Sequence, residues 1–367
     1  MTDRRRTWAE IDRGALRHNV AALRSRLDPA AQVMAVVKAN AYGHGVAGVV
    51  GALAGDVAMF GVANVAEARE VRSHAPDTPV FILGAALPWE REEIVREGFL
   101  PSVSNVEEAR AYAALSVGEH VDVHLILDTG MGRMGIWQEE AFEIAREIAA
   151  VPGLRVTGIA SHLPVADEDE AFTREQLGRF HLLAERLSPL FPGPLVLHVE
   201  NSAGILGFPL HAGHLVRAGL ALYGSSPLAE FQPFLIPALT WKARITLVRE
   251  VAAGRDVSYG RTFTTSVPTR IATLGVGYAD GYRRHLSNAG AAVLIGGCSC
   301  AVLGRVTMDQ ILVDVSAVPH AQVGDEAVLI GRQAGEEILV KELADKAKTI
   351  AWDVFTGLGP RVERVFV

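Results

Sequence analysis

Val33-Met34-Ala35-Val36-Val37-Lys38-Ala39-Asn40-Ala41-Tyr42-Gly43-His44-Gly45 begins with five apolar residues in a row and ends in a polar, glycine-punctuated turn. An unbroken apolar run bounded by turn residues reads as a strand buried on both faces, the kind found in parallel sheets covered by helices. Similar runs recur at 59–62, 80–83, 100–103, 121–127, 156–160, 195–199 and 215–220. Helix-like segments fill most of the gaps, at 65–73, 89–97, 106–115, 139–149 and 170–187, and Asp12 can cap a helix that runs to about residue 27. Between the seventh and eighth runs only 202–206 is a helical candidate. Strand and helix alternating eight times predict an α/β fold of (β/α)8 TIM-barrel type.

Beyond residue 231 the period changes. Residues 244–248 and 270–274 alternate in the manner of strands, and further runs stand at 292–295, 301–306, 311–315, 327–330 and 362–366, with one helix near 340–348. The expected division is a barrel over 12–230 and a mainly β domain over 231–367, with residues 1–11 available to join the latter as a strand. A chain of 367 residues accommodates two such domains.

The formal net charge is −7, which gives no general attraction for nucleic acid or anionic membrane and favours small-molecule chemistry. Arg4-Arg5-Arg6 leads into Thr7-Trp8-Ala9-Glu10 without the apolar stretch of a signal peptide, so a cytoplasmic location is expected. Cys298 and Cys300 lie two positions apart on an expected strand and read as reduced thiols.

Active sites of such barrels sit at the C-terminal ends of the strands, so the polar residues that follow each run are the candidates. Lys38 follows the first run. A lysine emerging from an apolar strand can be desolvated enough to act as a nucleophilic amine. After the fifth run comes Asp128-Thr129-Gly130-Met131-Gly132-Arg133-Met134-Gly135, a formal G-x-G-x-x-G. A dinucleotide site would also need an acidic residue after the next strand, where Ser161-His162 stands instead. The glycines then read as room for backbone beside a ligand, with Arg133 suited to a carboxylate. Ser161-His162, His198-Val199-Glu200-Asn201-Ser202 and Arg217-Ala218-Gly219-Leu220 complete a polar ring. Ser202 and the Gly219-Leu220 backbone lie where barrels of this type bind phosphate, and a lysine beside a phosphate site suggests pyridoxal phosphate. His211 and His214 could pair on a metal, but no third ligand accompanies them, and no metal is expected. Tyr259 and Tyr278, in Ser258-Tyr259-Gly260 and Gly277-Tyr278-Ala279-Asp280-Gly281, are on local grounds as compatible with packing as with function.

These segments, together with Asn201-Ser202 and Met308-Asp309-Gln310, resemble the alanine racemase family from Thr7 to the end of the chain. The resemblance implies a barrel followed by a β domain, a cytoplasmic homodimer with shared active sites, pyridoxal 5'-phosphate as cofactor, and interconversion of L- and D-alanine that supplies peptidoglycan precursors. It implies that Lys38 binds the cofactor covalently, that Tyr42, Ser202, Gly219 and Leu220 hold its phosphate, and that Arg217 faces its pyridine nitrogen. His162 would link Arg217 to Tyr259, and Arg133 would orient the substrate. Tyr259, Tyr278 and Met308 would come from the other subunit. Racemisation needs one base on each face of the substrate carbon, and the resemblance assigns these to Lys38 and Tyr259. A phenol is a weak base at neutral pH, so nearby cations must favour its phenolate.

Three positions depart from the family pattern. Ile126 replaces a lysine that many members carbamylate to brace the counterpart of Arg133, which leaves Arg133 in need of another partner. Trp352 stands for a tyrosine near the substrate entrance, and an indole donates but does not accept a hydrogen bond. Ala218 replaces a frequent proline. The alternative readings are a racemase of another small amino acid such as serine, a decarboxylase of the same two-domain type, and a non-catalytic pyridoxal-phosphate-binding protein.

Overall fold

A computed structural model describes residues 4–118, 120–208 and 215–367. His211 and His214 lie outside the described residues. The chain forms two compact units, one comprising Leu16–Ala41 and Val46–Ile236, the other Met1–Ala15, Tyr42–Gly45 and Pro237–Val367.

In the first unit the eight apolar runs are strands: Gln32–Val36, Met59–Val62, Val80–Ile82, Leu100–Val103, Val121–Asp128, Leu154–Ala160, Val196–His198 and Leu215–Ala218. They pair in parallel in that order, and the last pairs back onto the first, Leu215 opposite Gln32. The seam between the seventh and eighth is bridged where the Arg217 N–H donates to the Glu200 carbonyl at 3.0 Å. The result is a nearly closed barrel, the α/β architecture expected from the alternation. Met34, Phe81, Ile126, Ala160 and Leu215, from five of the strands, bury their side chains in one cluster. Several helices begin on a capping side chain, with Asn64, Asn105, Asp169 and Asn201 accepting the N–H of Glu67, Glu108, Phe172 and Gly204. Each such cap stabilises its helix by about 0.5–2 kcal/mol and pins the start of the segment after the strand.

The second unit is mainly β. Its long strand Leu239–Val251 pairs antiparallel with Thr7–Ile11, Thr269–Leu274 and Glu326–Gln333, and Thr7–Ile11 pairs in parallel with Glu363–Phe366. Trp241 is buried beside Tyr282, with ring centroids 6.0 Å apart, and its indole N–H donates to Thr7 Oγ1 at 2.9 Å. The helix near the C-terminus spans Val340–Ala347. The apolar run 301–306 is not a strand. Cys298–Ala301 takes that place, and from Val302 the chain makes only a single bridge to Val313. Gly304 has φ of +66°, and a Cβ there would lie 2.8 Å from the Val257 carbonyl, so the segment packs as an irregular backbone against its neighbour. Cys298 is exposed and Cys300 buried, and burial pushes the Cys300 thiol up to about 11. No helix among the described residues is long and apolar enough to cross a membrane.

Candidate active site

Lys38 stands two residues past the first barrel strand, half-buried. Ala39, Asn40, Ala41 and Tyr42 then adopt φ of 53°, 53°, 51° and 50°, a left-handed turn that contains no glycine. L-residues pay roughly 1–2 kcal/mol each for that conformation, so the turn requires braces. Glu67 supplies one, accepting the Ala39 N–H on Oε1 and the Ala63 N–H on Oε2, both at 2.8 Å. Asn40 Oδ1 accepts the Val46 N–H at 2.9 Å, and the Ala41 N–H donates to the Val37 carbonyl at 2.8 Å. The backbone after the lysine is thereby fixed. Burial lowers the Lys38 pKa, Arg133 and Arg217 lower it further, and Glu67 partly opposes them. The amine is therefore more available in its unprotonated form than an exposed lysine.

Arg217, on the eighth strand, is buried, and its guanidinium is surrounded by acceptors among the described residues. Nη1 donates to His198 Nδ1 at 2.9 Å and to the His198 carbonyl at 2.7 Å. Nη2 lies 2.6 Å from the Ser161 carbonyl, 3.0 Å from the Val199 carbonyl and 3.1 Å from His162 Nδ1. Burial lowers the Arg217 pKa to about 10, with Glu200 opposing and Arg133 adding to the fall, so the group remains a cation near neutrality. Since a guanidinium only donates, His162 must accept at Nδ1 and carry its proton on Nε2. Burial, reinforced by Arg217, Arg133 and Lys38, pushes His162 down to about 3. The imidazole is a neutral donor.

Ser202, buried after the seventh strand, accepts the N–H groups of Gly219 at 3.0 Å and Ala221 at 3.2 Å on its hydroxyl oxygen. Both lone pairs are engaged, which leaves the O–H hydrogen to donate, and no acceptor for it stands among the described residues. Gly219 thus meets Ser202 through its amide, and Leu220 begins the following short 3-10 turn.

Arg133 is exposed on the loop after the fifth strand. That loop is drawn onto one carboxylate oxygen: Asp128 Oδ1 accepts the N–H groups of Gly130, Met131 and Gly132 at 3.0, 2.9 and 3.1 Å. A Cβ on Gly135, whose φ is +114°, would lie 2.8 Å from the Asp128 nitrogen, so the G-x-G-x-x-G pattern serves a loop folded back on its own strand. Gln176 donates to Thr129 Oγ1 at 3.1 Å and to the His162 carbonyl at 2.8 Å, and Thr129 and Ser161 share a hydroxyl bond of 2.7 Å. These tie the fifth- and sixth-strand loops to one helix. Ile126 belongs to the apolar cluster against which Met134 packs.

In the β unit Tyr259 is 71 % exposed, Tyr278 40 % and Met308 53 %. Tyr259 sits in a tight turn between Ser258 and Arg261, both at positive φ. Ser258 Oγ donates to the Arg305 carbonyl at 2.6 Å, and the Arg305 guanidinium packs so closely on Gly260 that a Cβ would lie 2.7 Å from it. The Tyr278 and Ala279 N–H groups donate to the Thr307 and Met308 carbonyls at 3.0 Å, which sets Tyr278 beside Met308. Arg361 joins Asp280 to Asp309 through two 2.8 Å ion pairs. Tyr42 belongs to this unit, and burial pushes its phenol up to about 12. Trp352 is half-buried on the helix Ala351–Thr356.

Residue-level reading singled out Lys38, Arg133, His162, Ser202, Arg217, Gly219 and Leu220 in the barrel unit, and the hydrogen bonds above connect His162 with Arg217 and Ser202 with Gly219. It missed the braces Glu67 and Gln176 and gave no role to Asp128, His124 or the His198 ring. Asn64-x-x-Glu67 has the form of a helix-capping pair, a signal that could have drawn attention to Glu67.

Residues 11–227 match the family model "Alanine racemase, N-terminal domain", and residues 238–366 match "Alanine racemase, C-terminal domain". The chain is 42 % identical to an alanine racemase of Symbiobacterium thermophilum, over 99 % of this chain and 97 % of that protein. It is 40 % identical to one of Desulfosudis oleivorans, over 98 % of this chain and 96 % of that protein. The crystal structure of alanine racemase from the D-cycloserine producer Streptomyces lavendulae superposes with a TM-score of 0.92 at 36 % identity, covering 100 % of this chain and 98 % of that one. The alanine racemase of Bacillus anthracis with bound L-Ala-P gives a TM-score of 0.90 at 31 % identity, covering 100 % and 96 %. With both of its halves matched and its whole length aligned, the chain belongs to the alanine racemase family.

Proposed function

We propose that the chain interconverts L- and D-alanine with pyridoxal 5'-phosphate, Lys38 acting on one face of the substrate carbon and the partner subunit's Tyr259 on the other, and so supplies D-alanine for peptidoglycan. The observation that carries this reading is the desolvated Lys38 amine at the mouth of a barrel whose family is that of the alanine racemases. The residues fit the cofactor. A buried Ser202 hydroxyl with an unassigned proton suits a phosphate oxygen, Lys38 offers a nucleophilic amine, and Arg217 offers a cation where the resemblance puts the pyridine nitrogen. When bound, the cofactor supplies an electron sink for the substrate carbon.

The chain's own residues then hold and move protons. Burial and the two arginines keep the Lys38 Nζ less basic than an exposed amine, so it can take a proton and return it. Arg217, held by acceptors and still charged, opposes protonation of a ring nitrogen placed beside it, which restrains the electron sink and discourages transamination. His162, neutral with its proton on Nε2, keeps a donor for the partner's Tyr259, to which the resemblance links it, and such a bond would favour the phenolate. Arg133 offers a cation to the substrate carboxylate from the loop whose backbone Asp128 gathers.

The test uses the purified, cofactor-loaded protein: conversion of L-alanine followed by loss of optical activity, with L-serine as competitor, and borohydride reduction followed by peptide mass mapping. A racemic end point, reached faster with alanine than with serine, and a label on Lys38 are expected. Lys38→Ala should retain the cofactor only non-covalently and lose racemisation. A label on any other lysine overturns the site assignment, and faster turnover of serine than of alanine overturns the substrate.

A further inference from the structure

Two buried imidazoles have no part in the proton transfers above. His124, on the fifth strand, and His198, at the end of the seventh, are 2 % and 0 % exposed. His124 Nδ1 lies 2.8 Å from His198 Nε2, and His198 Nδ1 lies 2.9 Å from Arg217 Nη1. The protons on this chain follow from its end. Arg217 can only donate, so His198 accepts at Nδ1 and bears its hydrogen on Nε2. That hydrogen points at His124 Nδ1, which must accept and bear its own hydrogen on Nε2. Reversing either ring would set two protons or two lone pairs face to face.

The rings have no freedom to leave this arrangement. Phe81 packs on both, with centroids 5.0 Å from His124 and 5.3 Å from His198. Gly158 lies so near His124 that a Cβ there would be 2.7 Å from three ring atoms. Among the described residues, each hydrogen bond of the Arg217 guanidinium goes to a neutral acceptor: the three carbonyls, His162 and His198. Glu200 acts on it electrostatically. A carboxylate in direct contact would orient the guanidinium equally well but would offset much of its charge. Neutral imidazoles orient it and add no negative charge to that of Glu200.

We propose that His198, backed by His124, is a positioning residue for Arg217: the two imidazoles form a one-directional hydrogen-bond chain that aims the guanidinium while leaving its positive charge expressed toward the cofactor ring. The role toward the cofactor rests on the function proposed above; the proton arrangement does not. The charged groups that bear on the chain are Arg217 for His198, Asp122 for His124, and Glu200 and Arg133 for Arg217.

Histidine-selective 15N NMR of the cofactor-loaded protein tests the proton arrangement, with signals assigned by substitution. Both rings should carry the hydrogen on Nε2 and should not titrate between about pH 6 and 9. A hydrogen on Nδ1 of either ring, or a titration in that range, overturns the proposal. His198→Phe removes the acceptor, whereas His198→Asn can place an oxygen where Nδ1 stood. The Phe variant should shift the visible absorbance of the bound cofactor and lower kcat roughly tenfold or more with KM little changed, and the Asn variant should recover most of both. Equal loss in the two variants overturns the positioning role. If the Phe variant fails to fold, the wild-type tautomers and the absorbance of the Asn variant still decide. If wild-type protein does not racemise alanine the proposed function falls, while the tautomers and the absorbance decide the hydrogen-bond chain independently of it.

Discussion

His124 donates nothing to Arg217, yet it holds the only acceptor found for the His198 Nε2–H among the described residues. His124→Leu roughly keeps the volume and removes that acceptor, leaving a buried N–H unpaired at a cost of about 1–3 kcal/mol. Denaturant unfolding of the variant should show that loss, and a change of only a few tenths would mean that the bond contributes nothing to stability. The same burial makes the fold acid-sensitive. His124 is pushed from 6.5 down to about 4 in the folded chain, and His198 falls well below 6.5. The unfolded chain then binds more protons than the folded one in that window, so stability is complete above about pH 6.5 and declines as pH falls toward 4. His124 alone accounts for about 3 kcal/mol over that range. Melting temperature measured across it should fall with acidity, and a flat profile would contradict buried neutral rings. Lys38 was legible in the sequence because it follows an apolar strand at a barrel mouth, and Arg217 because it is a charge carried inside one. The two ring roles were not, since an imidazole inside an apolar run looks the same whether it packs or bonds, and only the pairing across strands brings positions 124 and 198 together.

In the loop after the fifth barrel strand the backbone leading to Arg133 is held although the side-chain partner expected for that arginine is missing. Ile126 offers only apolar packing, while Asp128 gathers three successive amides on one oxygen and so sets the path of the chain to Arg133. Asp128→Ala releases all three and should raise KM for alanine and lower kcat/KM by roughly 10–100-fold, while Asp128→Asn, which keeps an acceptor oxygen, should recover most of the loss. Steady-state kinetics of the two variants decide, and parity between them would assign the effect to charge and not to the gathered amides. The barrel strands were readable because both of their faces are covered, which makes them continuously apolar. The left-handed turn after Lys38 was not readable, because Ala39, Asn40 and Ala41 carry no glycine to announce it and it exists through the Glu67 and Val46 bonds. The run 301–306 misled for the opposite reason: apolar content suggested a strand where Gly304 and its approach to Val257 set an irregular path.

Across the whole molecule, the proposed bases fall in different units, Lys38 in the barrel unit and Tyr259 on the surface of the β unit, where it is 71 % exposed beside Tyr278 and Met308. Tyrosines in a β domain are ordinarily packing residues, so physics applied to the sequence left them ambiguous and only the resemblance gave them a role. Large side chains left open on tightly braced turns suit a surface that another subunit covers, in keeping with the proposed homodimer. In a two-fold dimer each site would take Lys38 from one subunit and Tyr259 from its partner. Lys38→Ala and Tyr259→Phe homodimers should then each be severely impaired, the second by something on the order of 10²–10⁴ through loss of acid/base catalysis on one face. Mixing the two variants under conditions that exchange subunits yields heterodimers with one doubly damaged site and one intact site. With random association of equal amounts, half of the dimers are mixed and half of their sites work, so activity should return to roughly a quarter of wild type. Sites contained within single subunits predict no recovery, so an inactive mixture in which exchange has been verified by mass would overturn the shared site and place the second base elsewhere in the same chain.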